Sequence, residues 1–337
     1  MIPDGILVLM GPIEVEELAT RIRAGSVRAL ARGLSWIEAG GERAEALSEE
    51  LYPDTRGAHV VGVTGAPGAG KSTLVGALAR EARQRGASVG VLTVDPSSPF
   101  TGGAILGDRI RMNDLANDPG VFIRSMATRG AMGGLCAAAG AAVDLLSAAR
   151  RDLVVLETVG VGQDEVDVMR LAHSTVVVSV PGLGDDIQAL KAGIIEIADI
   201  HVVNKADREG ADRTVAELRS LLAMDRGSSG AWRPPILRSV ATRQEGVSAL
   251  LDAIDQHFKD LKTSGQLHAR ERRIAQSRVL QHAQTLVAQT LKQPIARDDD
   301  AVEAQIDRVA RRELSPYRCA RALLRRASAG ERTPFHV

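Results

Sequence analysis

The sequence predicts an α/β fold, a mostly parallel, doubly wound sheet with helical extensions before and after it, and three observations carry that expectation. A glycine-rich turn at 65–72, GAPGAGKS, lies between an apolar strand and an amphipathic helix. Strand-like and helix-like patterns alternate from 57 to about 261. The flanks, 1–56 and 262–337, carry helical spacing without strand signals.

From the N-terminus, residues 11 to about 50 set Val15, Leu18, Ile22, Val27, Leu30 and Leu34 among charged residues, which suits two or three helices with one buried face. A turn at Tyr52-Pro53-Asp54 separates them from the first strand. That strand, His59 to Gly65 (HVVGVTG), is the β-branched, nearly continuous apolar run of a strand buried on both faces. From Lys71 to Arg85, Leu74, Leu78 and Ala82 line one helical face, and Gly86 ends the helix. Further strands are expected near 88–94, 153–159, 175–180, 199–204 and 235–240, while 96–134, rich in Gly, Pro, Ser and Asp, reads as irregular functional loop. Beyond Leu261 a long helix is expected from Leu267 to Leu291, carrying Ile274, Val279, Leu280, Ala283, Leu286, Val287 and Leu291. A second should run from about Asp300 to Glu313 and a third from Pro316 to Ser328. Their apolar stripes must be buried against the main domain or against a second copy of the chain; a homodimer is the favoured expectation.

Composition narrows the partners. Lys plus Arg and Asp plus Glu both total 42 in 337 residues, so no global field points to nucleic acid or to an anionic membrane surface. The two cysteines, Cys136 and Cys319, have no paired spacing, which fits a reducing cytoplasm. The start, MIPDGILVLMGPIEVEEL, lacks the pattern of a signal peptide, and the apolar run Leu135 to Val143 stops at Asp144, too short for a membrane span, so a soluble protein is expected.

The chemistry begins at 65–72, which matches G-x-x-x-x-G-K-[ST], the P-loop of nucleoside triphosphatases. Gly65, Gly68 and Gly70 permit backbone turns that aim successive N–H groups of Ala66, Gly68, Ala69 and the helix start at phosphate oxygens, with Pro67, which has no N–H, part of the same cradle, and the helix N-terminus adds partial positive charge. Lys71 would reach the β and γ phosphates, Ser72 would ligate Mg2+, and Thr73 continues the first turn. Asn204-Lys205-Ala206-Asp207 follows a strand, where such sheets bind ligands, and reads as the N-K-x-D of guanine-specific enzymes. The Asp207 carboxylate can accept from the guanine ring N–H and exocyclic amine, Asn204 would bond the base edge, and the Lys205 stem would cover the ring. Ser239-Val240-Ala241 closes the next strand, where a backbone contact to the guanine oxygen is expected. Glu157-Thr158-Val159-Gly160 stands where a D-x-x-G senses the γ-phosphate: Glu157 would hold or orient water at the metal and Gly160 would offer its N–H. The following residue is Val161 rather than a water-positioning glutamine, which implies slow intrinsic turnover; Gln163 is a weaker substitute. Asp95 and Asp108 are acids that can approach Mg2+, whereas Arg109 and Arg111 read as solvent-facing. The seven histidines form no metal-binding spacing.

Taken together, GAPGAGKST, VDPSSPFTGGAILGDRIRM, SMATRGAMGGL, ETVGVGQDEVDV, PGLGDDIQALKAGIIEIADI and NKAD resemble the MeaB/ArgK family of P-loop GTPases, which includes human MMAA, over about residues 10 to 335. The resemblance implies a GTPase that acts as chaperone of adenosylcobalamin-dependent methylmalonyl-CoA mutase, gating cofactor delivery and keeping or restoring the mutase in its active form. It implies GTP/GDP and Mg2+ as ligands, the mutase and a cobalamin adenosyltransferase as partner candidates, and a homodimer formed through a C-terminal helical arm. By motif, Asp95, Asp108 and Glu157 line the metal and γ-phosphate side, and Lys191, in the additional switch from Gly182 to Lys191, completes the active site. Three alternatives stand beside it: an ArgK-type protein kinase or ATPase linked to amino-acid transport, a nickel-insertion GTPase, and a nucleotide-gated scaffold without useful turnover.

Overall fold

The structure, a computed structural model, describes residues 12–55, 57–95, 112, 114–115, 117–127, 134–158, 169–182, 197–224, 232–296 and 300–329. The chain divides into two compact units, Met1–Ser277 and Arg278–Val337.

In the first unit, α1 (Pro12–Arg23), α2 (Val27–Ala39) and α3 (Glu42–Leu51) precede a short 3-10 turn at Tyr52–Asp54. Ser26 caps α2, its Oγ accepting from the Ala29 N–H at 3.3 Å, which satisfies a backbone donor that the helix cannot. Then follow β1 (His59–Gly65), α4 (Lys71–Gln84), β2 (Val89–Asp95), β3 (Val121–Ala127), α5 (Gly134–Ala148), β4 (Leu153–Thr158), β5 (Ser174–Ser179), β6 (Ile200–Asn204), α6 (Ala211–Met224), β7 (Ile236–Ser239) and α7 (Val247–Thr263). The seven strands form one parallel sheet in the order β3-β2-β4-β1-β5-β6-β7. β1 lies between β4 and β5, with Val61 beside Val155 on one side and Ser174 on the other. Chain order therefore reverses direction around β1, the switch point at which doubly wound sheets open a ligand crevice.

Strand alternation divides the core. Val60, Leu92, Val154 and Leu156 face one side, where Leu30, Leu34, Leu47 and Leu51 of the N-terminal helices join Leu145 and Leu146 of α5. Val61, Val63, Val91 and Val155 face the other, against Leu74 and Leu78 of α4 and Leu250 and Ile254 of α7. Both faces are thus covered, which explains why the strands read as continuous apolar runs.

One element departs from expectation. Within 96–134, read from sequence as irregular, Val121–Ala127 forms strand β3, an edge strand paired in register with Val89–Asp95. Phe122 and Met126 are buried while Ile123, Arg124 and Ser125 are partly exposed, so the segment lacks the fully apolar signature of its neighbours.

Helix α8 (Gln266–Ala296) begins in the first unit, where Arg270 grips Asp199 with N–O distances of 3.2 and 2.5 Å. In the second unit α9 (Asp300–Ala310) packs on α10 (Pro316–Ala329), with Val302, Leu314 and Cys319 buried. On α8, Val279, Leu280, Leu286 and Val287 are 46–67% exposed. No helix among the described residues is long and apolar enough to cross a membrane.

Candidate functional site

The turn from β1 into α4 has a backbone that glycine alone makes possible at two points. Gly65 has φ +144°, and a Cβ there would stand 2.1 Å from the Val178 carbonyl oxygen of β5. Gly70 has φ +84° at the N-cap of α4, where a Cβ would meet Asn204 Nδ2 at 2.7 Å. The loop thus fits against β5 and the end of β6 with no room for a side chain. Lys71 is buried, and its Nζ donates to Gly65 O at 2.7 Å and Ala66 O at 3.2 Å, folding the ammonium over the loop it belongs to.

Sheet register supplies the acidic partner. Glu157, the fifth residue of β4, pairs with Val63 of β1 and with Thr93 of β2, so its side chain shares the face covered by α4. There Ser72 Oγ donates to Glu157 Oε1 at 2.6 Å, both residues being buried. One step along, Thr158 Oγ1 donates to Thr64 Oγ1 at 3.1 Å, tying the ends of β4 and β1 together. Asp95 is the last residue of β2, but its side chain lies outside the described residues, as do Asp108, Gly160, Val161, Gln163 and Lys191.

On the other side, the end of β6 braces the loop. Asn204 Nδ2 donates to Ala69 O at 2.9 Å, and its Oδ1 accepts from Ser239 Oγ and from the Ala241 N–H, both at 3.2 Å. Lys205 holds the left-handed conformation, φ +55°, and its Nζ donates to Gly68 O at 2.8 Å. Asn204 therefore joins phosphate loop, β6 and the turn after β7, a bracing arrangement that the motif alone does not suggest. A cavity of about 160 Å³ opens here, lined by Gly70, Thr73, Lys205, Asp207, Val240 and Ala241 among others. Its wall also includes Arg208 and Thr242, which directly follow the two motifs and which sequence reasoning passed over. Asp207 is 41% exposed, with Arg243 Nη2 3.7 Å from its Oδ2.

These residues fit a nucleotide and a magnesium ion. A glycine cradle with a lysine suits phosphate, and a narrow slot ending in a carboxylate suits a base carrying N–H donors. Ser72 and Glu157 offer hard oxygen donors 2.6 Å apart, the ligand type that magnesium prefers. Among the described residues no group of three or more His, Cys, Asp or Glu could hold a metal by itself.

Comparison with known proteins agrees with this geometry. Residues 30–296 match the family model described as methylmalonyl Co-A mutase-associated GTPase MeaB. A Pyrococcus abyssi protein carrying a GTPase name is 45% identical over 94% of this chain and 98% of its own length. The Escherichia coli GTPase ArgK is 39% identical over 77% of this chain and 79% of its own. A crystal structure of a LAO/AO transport system kinase superposes with a TM-score of 0.64 at 29% identity, covering 96% of this chain and all of that one. The chain shares the fold of that kinase structure and carries a phosphate loop and an N-K-x-D motif: it belongs to the MeaB family of P-loop GTPases.

Proposed function

We propose that this chain hydrolyses GTP to GDP and phosphate in the cytoplasm and uses the cycle as chaperone and regulator of adenosylcobalamin-dependent methylmalonyl-CoA mutase, gating cofactor delivery and protecting or reactivating the mutase. The carrying observation is the 2.6 Å contact between Ser72 of the phosphate loop and Glu157 at the end of β4, which couples the residue nearest a triphosphate's metal to the strand end that leads into the γ-phosphate-sensing segment. The mutase as client is supported by the family description and by a Caenorhabditis elegans relative named as a mitochondrial methylmalonic aciduria type A homolog, 39% identical over 62% of this chain and 54% of its own length.

In this reading Lys71 leaves the carbonyls of Gly65 and Ala66 for phosphate oxygens, and the loop N–H groups from Ala66 to Thr73 hold the rest. Ser72 and Glu157, with Asp95 and Asp108, are the residues that would hold Mg2+, which would supply positive charge to offset that of the phosphates. Gly160 and Lys191 complete the γ-phosphate side. Asp207 selects guanine, while Lys205 covers the ring and Ser239–Ala241, held by Asn204, line the base slot. We further assign 1–56 as a helical extension, 57–261 as the GTPase domain and 262–337 as a dimerisation arm, which the exposed Val279, Leu280, Leu286 and Val287 support.

The test is GTP hydrolysis with Mg2+, alone and with methylmalonyl-CoA mutase from the same organism. Strong acceleration is expected, and an unchanged rate would remove the mutase as client. For base selection, Asp207→Asn is expected to weaken GTP about 10- to 100-fold and to favour xanthosine triphosphate, whose exocyclic carbonyl oxygen at C2 replaces the amine donor and accepts from the Asn amide. Unchanged GTP affinity in a competition assay would overturn the assignment. The ArgK and transport-kinase names of two relatives favour a second reading, phosphoryl transfer to a protein. Labelled γ-phosphate appearing on an acceptor protein instead of in solution would select it.

A further inference from the structure

A second cavity lies away from the nucleotide site. It measures about 360 Å³ and opens at the N-terminal ends of β1 and β4, where Arg23, Asp54, Ser147, Arg150, Arg151 and Asp152 contribute to its wall. The phosphate loop follows the opposite, C-terminal end of β1, so the two sites are separated by the length of the strand.

The charges of this cavity do not balance locally. Asp54 accepts from Arg23 Nε at 2.7 Å, and a second nitrogen of Arg23 reaches Glu50 at 3.0 Å. Asp152 accepts from both the N–H and the hydroxyl of Ser88, each at 2.7 Å. Both acids are thus engaged. Arg151 is 7% exposed, its Nε is buried without a partner, and it makes no side-chain hydrogen bond or ion pair among the described residues. The nearby acid Asp118 is held by Arg83 at 2.9 and 3.0 Å and so is not available to it. Burial, and then the Arg83 guanidinium, pull the Arg151 pKa below its ordinary value, and the charges of Asp152 and Asp118 offset this only in part. A buried guanidinium that no carboxylate hydrogen-bonds is costly, and five donors in a planar fork match a tetrahedral oxyanion. Arg150, exposed at the same turn with φ +58°, adds a second positive charge to the wall.

We infer that this cavity is an anion site for a phosphate group, with Arg151 as the buried ligand, Arg150 as the outer one and the Ser147 hydroxyl as a further donor. The phosphate can be free or carried on a small phosphomonoester. Its binding would fasten the end of α1, through Arg23, and the turn at Asp54 to the entry of β4. The inference does not depend on the identity of the mutase client.

The test uses the full chain saturated with GDP and Mg2+, so that the phosphate loop is filled. Inorganic phosphate, glycerol 2-phosphate and succinate are titrated at constant ionic strength while thermal unfolding is followed. One or both phosphates should raise Tm by at least ~3 °C near saturation. In Arg151→Met the rise should vanish, while its Tm without anion equals or exceeds that of the wild type because the buried charge is gone. A response to phosphate alone assigns the free anion, to glycerol 2-phosphate alone the ester, and to both the shared group. No shift with either, a shift with succinate only, or an equal shift in Arg151→Met would overturn the inference. If Arg151→Met does not fold, Arg150→Met at its exposed position serves instead: the half-saturating phosphate concentration should rise at least ~3-fold, and an unchanged value refutes the site.

Discussion

Replacing Lys71 with alanine is expected to lower GTP turnover at saturating nucleotide by about 100- to 1,000-fold, the loss seen when one preorganised donor to developing charge is removed. The fold should survive. The Lys71 ammonium bonds two backbone carbonyls, Gly65 O at 2.7 Å and Ala66 O at 3.2 Å, both within its own loop. Those carbonyls can be satisfied by water at a cost of about 1 kcal/mol each. Loop shape itself is set by Gly65 against Val178 and by Asn204 against Ala69, neither of which involves Lys71. Circular dichroism and thermal unfolding should therefore change little while product release of phosphate nearly stops. Turnover within tenfold of wild type would mean that another cation contacts the phosphates.

What could be read from the sequence, and what could not, follows from the range of each interaction. The β1–loop–α4 unit is local: its apolar run, glycines and helical period all lie within 59–84, and the structure reproduces it nearly residue for residue. Helices α8, α9 and α10 were legible for the same reason. Strand β3 was not, because an edge strand with Arg124 and Ser125 only partly buried on it carries a diluted pattern between glycine-rich flanks. Glu157 could be nominated by its motif, yet its contact with Ser72, 85 positions earlier, depends on the parallel register of β1 with β4. Asn204 reads from sequence as a ligand to the base; in the folded chain its amide also braces two loops, a role visible only once β6, α4 and the turn after β7 converge. Arg151 carries no motif in the sequence, and its burial comes from the packing of α5 and the entry to β4 around it.

Acid should destabilise this protein well before its carboxylates titrate. Four histidines are held neutral by the fold. Neither ring nitrogen of His201 finds a partner among the described residues, and burial in the middle of β6 lowers its pKa to about 4. His173 Nδ1 accepts the Val60 N–H at 3.0 Å, and burial, then Arg270 and Lys262, bring its pKa to about 4 as well. His59 is lowered chiefly by burial, its ring stacked on Phe258 at 4.0 Å and its Nε2 2.9 Å from Ser174 Oγ. That hydroxyl is also 2.8 Å from His257 Nδ1, and His257 is lowered by burial despite Asp199 opposing the shift. The sign follows directly: the unfolded chain takes up protons near the ordinary value of 6.5 while the folded chain refuses them until about 4. Stability is therefore full above pH 6.5 and falls as pH drops toward 4, by about 1.4 kcal/mol per unit for each such histidine. His173 and His201 together would remove about 6 kcal/mol, a large part of the margin of an ordinary domain. Engaged carboxylates such as Asp114 and Asp118, whose pKa values lie below 3.8, contribute only at lower pH. Urea denaturation between pH 8 and 4.5 should show the unfolding midpoint dropping steeply below about pH 6.5. His201→Phe, which removes two unsatisfied nitrogens, should match or exceed the wild type at pH 8 and lose about one proton from the slope. A midpoint independent of pH across that interval would mean that these rings are protonated in the folded chain and that their burial is balanced by partners other than those described.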